Sequence, residues 1–196
     1  MVRYLVFSLF FVVGCGKSTP DETVNSNMEH KLLLVLGDSL TTVTQTTLLK
    51  TLTKKIKEDG PASAVTFCNI KAMPLTDSLA RKFKVRLQRV SDKNRNPKNG
   101  ADDADRGILE QWASGMKNGI QPKPTVEETE RATVYYKPIL LGMPTCLQCH
   151  GDPEKEITPE VREILRAKYP QDRAIGYKVG DLRGAWKVTL AKSRER

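Results

Sequence analysis

Cys146-Leu147-Gln148-Cys149-His150 constrains this chain more than any other stretch. Two thiols three positions apart can each add across one vinyl group of a haem, and the next residue then offers an imidazole to the iron from the same side. The pattern is that of c-type haem attachment, through Cys146 and Cys149, with His150 as an axial ligand. Zinc binding through the same three residues is geometrically conceivable. A thioredoxin-type dithiol would need a βαβ setting, which the sequence lacks.

The chain has 196 residues, 39% of them hydrophobic and 28% charged, the composition of one globular domain with its own core. A formal charge of +9 favours acidic proteins or an anionic lipid surface as partners. The lysines and arginines are scattered, and no finger, RNP or helix-turn-helix pattern is present, so nucleic acid is not an expected partner. At the N-terminus, Arg3 precedes an apolar run from Tyr4 to Val13, too short to span a bilayer and suited to a secretory leader. The leader ends in Val12-Val13-Gly14-Cys15, which resembles a bacterial lipoprotein cleavage box. Residues 1–14 therefore read as a signal peptide and Cys15 as the lipidated new N-terminus, held at a membrane by several acyl chains. Gly16 rather than an acid after that cysteine points to the outer membrane of a two-membrane cell. Haem c is attached outside the cytoplasmic membrane in bacteria, so leader and box agree on a periplasmic location.

Residues 15–30 are polar and read as a flexible tether, with His30 as a solvated histidine. From Lys31 to the end at residue 196 the chain reads as one domain. An apolar run, Leu32 to Leu36, meets a break at Gly37-Asp38-Ser39. Leu40, Val43, Leu48, Leu49, Leu52 and Ile56 then recur at mostly helical spacing up to Asp59-Gly60-Pro61. Val65, Cys68, Ala72 and Leu75 place Cys68 on the buried stripe of a short helix that Pro74 kinks or ends, and a further helix carries Leu79 and Phe83. Cys68 is the thiol left over from lipid and haem attachment. It is open to two readings, a small buried apolar residue or an iron ligand. Residues 85–90 read as a strand and 91–100 as a loop. Arg86, Arg89 and Arg95 are candidates for the haem propionates, because a guanidinium can hold a carboxylate through two parallel bonds.

A helix over 105–117, a proline-containing loop over 119–125 and a strand over 132–141 follow. Pro138 places the end of that strand at a sheet edge or a bulge. The strand delivers the chain to the haem box, which is expected in a loop. Thr158-Pro159-Glu160 starts a helix that Pro170 closes. Residues 174–179 and 185–191 read as a two-stranded hairpin, and the tail from Lys192 as frayed. The whole is α+β, a small antiparallel sheet flanked by helices and preceded by a long N-terminal helix.

These pieces resemble PAS-like domains that carry one covalent c-type haem and are regarded as redox or gas sensors. The resemblance rests on the Cys68 helix with Ala72, on Arg89-Val90-Ser91 through Arg95-Asn96-Pro97 and Asn99, on Lys137-Pro138 ahead of Cys146 to Gly151, on Tyr169-Pro170-Gln171-Asp172, and on Gly176-Tyr177 with Gly180 to Trp186. It implies a PAS-like sheet, His150 as one axial ligand and a cysteine of the early helix as the other, a role that falls on Cys68. Met73, Met143 and an open position are the rivals. Two functions are expected to compete: a sensor in which the distal ligand is lost or exchanged, and a tethered electron carrier that keeps both ligands. With no transmembrane segment or kinase after the haem domain, a sensor would relay its signal to a separate envelope protein. Peroxidase-type catalysis would need an open iron position and a polar distal group, for which only His30 is spare, so no enzyme activity is expected.

Overall fold

The computed structural model describes residues 20–130 and 132–191. The leader at 1–14, Cys15 and the tail from 192 lie outside the described residues. Helix α1 runs Pro20–Phe83 and is interrupted at Gly60, where φ is 79° and ψ 170°. That left-handed φ suits glycine, and Pro61 has no N–H to return to the preceding turn. The expected stop at Asp59-Gly60-Pro61 is therefore a kink between two helical arms. Pro74 removes one helical hydrogen bond without ending the helix. The separate helices expected over 40–83 are thus one kinked rod. It begins at Pro20, inside the stretch expected to be a tether.

Four antiparallel strands form one sheet in the order β1-β4-β3-β2: β1 (Arg86–Val90), β2 (Thr125–Glu128), β3 (Ala132–Leu140) and β4 (Leu182–Ala191). The first strand pairs with the last, which bears out the PAS-like α+β expectation. Two local expectations change. Strand β2, within and beyond the expected proline loop, pairs with Thr133–Tyr136 and stops there, so Pro138 of β3 lies where β3 has β4 on one side only. Residues 174–179 form no strand. The N–H groups of Gly176 and Tyr177 go instead to the carbonyls of Gly151 and His150, while β4 fills both of its ladders with β1 and β3.

Alternation along the strands gives the sheet two apolar faces. Leu87, Tyr135, Trp186 and Val188 meet Leu40 of the first arm of α1. Contact is closest at Gly37, where an added Cβ would lie 2.4 Å from the Tyr135 ring. Thr41 and Thr44 are also buried, their hydroxyls donating to the carbonyls of Gly37 (2.7 Å) and Leu40 (2.8 Å). Trp186 Nε1 donates to Gln45 at 2.8 Å. His30–Ile70 is long and apolar enough by composition to cross a membrane, with a mean hydropathy of 1.3 over its best window. Its contacts with the sheet make the Gly37–Gln45 portion a core element.

The opposite face, with Val90, Val134, Tyr136 and Ala185, is covered by Leu109 and Trp112 of α2 (Asp103–Lys117). A capping box between Asp102 and Asp105 starts that helix. Asp105 is buried and receives the Tyr136 hydroxyl at 2.8 Å and Lys187 Nζ at 2.6 Å. The second arm of α1, through Ala62 and Val65, packs on Val161 and Leu165 of α4 (Pro159–Lys168), whose first turn is capped by Thr158.

Candidate functional site

Strand β3 ends at Leu140, and the backbone of Leu141 is pinned by two bonds to Gly180 and Asp181. A 3-10 turn, Pro144–Cys146, then runs straight into α3 (Leu147–His150). The box is therefore helical and not the expected loop. Helical spacing puts Cys146 and Cys149, three residues apart, on one side of the turn. Cys146 packs against Leu141, Ala174 and Tyr177, and Cys149 against the cluster shared by α1 and α4. An added Cβ at Gly151 would meet the Leu147 carbonyl at 2.8 Å and the Glu156 carboxylate more closely still, so the chain can leave the box this tightly only at glycine.

Residues 172–177 clasp the box from outside. Gly176 N–H donates to the Gly151 carbonyl at 2.8 Å and Tyr177 N–H to that of His150 at 2.9 Å. The Ala174 carbonyl lies 2.7 Å from His150 Nδ1. A carbonyl can only accept, so the Nδ1 proton is fixed there and the lone pair sits on Nε2. The Tyr177 ring meets the imidazole edge-on, with centroids 6.3 Å apart. Burial, together with the charges of Arg95 and Arg183, holds the His150 pKa well below its ordinary value, leaving the ring neutral and able to ligate.

Arg95 ties these parts together. Its Nε donates to Asp172 at 2.9 Å, and its terminal amine to the carbonyls of Cys149 at 2.5 Å and Ala174 at 3.2 Å. The expected propionate clamp is thus engaged within the protein, holding the box to its clasp. Arg89 differs: it lies over the Trp186 ring at 5.8 Å and makes no hydrogen bond or ion pair among the described residues. Arg86 is exposed at the start of β1.

Cys68 lies on the second arm of α1, one turn beyond Val65, and α1 touches α3 directly. The thiol is half-buried and feels the charges of Arg89 and Arg95, while Cys149 in turn feels Cys68, Cys146 and Arg95. Burial pushes the Cys68 thiol up, and the two guanidinium groups oppose it. Of the rival ligands, Met143 is exposed and Met73 sits further along α1, half-buried. His30 is exposed.

The structure thus brings Cys68, Cys146, Cys149, His150, Arg89 and Arg95 to one place, while Cys15 lies outside the described residues. The donor chemistry fits a c-type haem: two free thiols on one helical turn, an imidazole with its lone pair on Nε2, a third thiol on the facing helix, and a cation with no hydrogen bond or ion pair among the described residues. Sequence reasoning did not assign Asp172, Ala174, Tyr177 or Arg183 to the site, although three of the four lie inside the motifs that carried the resemblance. Ala174 acts through its backbone carbonyl, which no side-chain pattern signals.

A PAS-like α+β domain with a Cys-x-x-Cys-His turn at the end of a central strand is the class this fold and site define. The chain belongs to the Tll0287-like family, whose pattern it matches over residues 21–191. Among solved structures it is similar to the crystal structure of the cyanobacterial haem protein Tll0287. The TM-score is 0.55 at 23% identity, and the match covers 91% of this chain and 100% of that one. At that identity the likeness is one of fold. No curated protein matches the chain.

Proposed function

We propose that this protein carries one covalent c-type haem and works as a redox or diatomic-gas sensor module tethered to the periplasmic side of a bacterial membrane. The observation that carries the reading is the Cys146–His150 turn packed beside the arm of α1 that carries Cys68, with His150 already fixed in its ligating tautomer. Family membership supports it as well.

In this reading Cys146 and Cys149 would each hold the macrocycle through a thioether, and His150 Nε2 and the Cys68 sulfur would ligate its iron. When bound, the haem supplies a reversible ferric–ferrous change and an iron that can take carbon monoxide or nitric oxide. Residues of the chain do the rest. Arg95 and the Ala174 carbonyl orient the box, and Tyr177 shields the imidazole. Arg89, near Cys68 and with no hydrogen bond or ion pair among the described residues, is placed to meet negative charge on the sulfur or on a propionate. A thiolate ligand favours ferric iron, so the potential should lie below that of a His/Met pair. The second arm of α1, which carries Cys68, would be the element through which a separate envelope redox or signalling protein reads a change at that residue. Lipid on Cys15 supplies the tether, at the outer membrane. The reading assigns no enzymatic turnover.

Optical spectra of the purified full-length protein, oxidised and reduced, with and without carbon monoxide, test this. The sensor reading requires a thiolate-type ferric spectrum and a ferrous state that has lost Cys68 or admits carbon monoxide. Two ligands retained in both oxidation states would make the protein an electron carrier instead.

A further inference from the structure

A cleft of about 540 Å³ opens between the last turns of α1 and the edge strand β1; no residue of the Cys146–His150 box lines it, and Arg89 is common to the cleft and the site described above. Its walls carry Arg81, Lys84, Arg86, Arg89 and Lys98 against a single acid, Asp77, and apolar side chains such as Met73 and Leu87 line the remainder. None of the five cations has an ion pair or a side-chain hydrogen bond among the described residues. Elsewhere on the sheet the comparable Lys187 has two carboxylates within 3.0 Å.

We propose that this cleft is a binding site for carboxylates carried on an apolar body. Four exposed cations gathered at its mouth repel one another, and Arg89 at its inner end, half-buried over the Trp186 ring, makes no hydrogen bond or ion pair among the described residues. A bound carboxylate relieves both, because a guanidinium can take it through two parallel bonds in a setting less screened than bulk water. The apolar wall then favours a ligand with hydrocarbon behind its charge over a bare inorganic anion. The volume lies within the range of small-molecule sites, roughly 300–1,000 Å³. Two sources share this chemistry. One is a free organic acid; the other, which rests on the haem reading, is the propionates of the haem, since Arg89 also faces Cys68.

The test is calorimetric titration of the full-length holoprotein with octanoate, with 1-octanol as the uncharged control, repeated on Arg81→Gln/Arg86→Gln. Both arginines are exposed, so the double variant should keep its fold, as checked by circular dichroism. Octanoate binding that octanol does not match, weakened at least 10-fold in the variant, identifies a free-acid site. If the propionates fill the cleft, octanoate does not bind and the variant shifts the propionate bending band in the resonance Raman spectrum. Octanoate binding unchanged by the variant overturns the proposal, as does an absence of binding together with an unmoved propionate band. A protein without covalent haem would show that in its absorption spectrum and leave the calorimetric arm standing, so the two readings fail separately.

Discussion

The two polar clusters on this sheet are built on opposite plans. Under α2, Lys187, Asp102, Asp105 and Tyr136 satisfy one another completely. Burial alone would lower the Lys187 pKa, but hydrogen bonds to Asp105 and Asp102 outweigh it and leave the value raised. Around the box, Arg89, Arg95, Arg183 and Lys93 gather with Asp172 as the ion-pairing acid, and Arg89 has no hydrogen-bonded partner among the described residues. A cluster that only supports the fold closes on itself, because buried charge without a partner is costly. A cluster that awaits a ligand carries its excess of one sign openly.

That contrast can be broken or sharpened by substitution. The largest effect is expected at the box. Cys146→Ser/Cys149→Ser should abolish covalent haem, read as loss of haem stain on a denaturing gel, while far-UV circular dichroism keeps its α+β form. Next, Lys187→Met should destabilise by about 3 kcal/mol in denaturant unfolding, since it strands Asp105 in the core. A lysine with a raised native pKa contributes its stabilisation fully below its unfolded value, ordinarily 10.5, and loses it as the pH rises through the native one. The gap between variant and wild type should therefore hold at neutral pH and narrow in strong alkali. Arg95→Gln should cost about 2 kcal/mol, because charged hydrogen bonds from box to clasp are lost. Thr158→Ala removes the α4 cap for about 1 kcal/mol. Arg89→Gln should be the smallest, lowering stability by no more than about 0.5 kcal/mol. A cost at Arg89 as large as that at Lys187 would erase the distinction between the clusters.

Features governed by side-chain type and period were legible in the sequence. The box, the alternation of β4 around Trp186, the cap at Thr158 and the strand leading into the box all appear where periodicity and capping chemistry put them. Cys68 came into view as the one unassigned thiol on a buried stripe, and the resemblance gave it a role. Features decided by backbone competition were hidden. Residues 174–179 have a strand-like composition, but their N–H groups find better-placed acceptors in His150 and Gly151 than in β4, whose ladders are full. The continuity of α1 through Pro74 and across the Gly60 kink was equally illegible, because packing against the sheet and α4 outweighs local helix-breaking signals. Arg95 was found for its chemistry, but its partners within the chain, Asp172 and the carbonyls of Cys149 and Ala174, are visible only in the fold.

On the proposed function, the box and Cys68 hold one haem between them. The visible spectrum of purified Cys68→Ala, set beside that of the wild-type protein in the oxidised state, tests it most directly. Loss of the thiolate-type spectrum and a raised midpoint potential are expected, with the haem still covalently attached. A spectrum unchanged from wild type, or no haem in either protein, would contradict it.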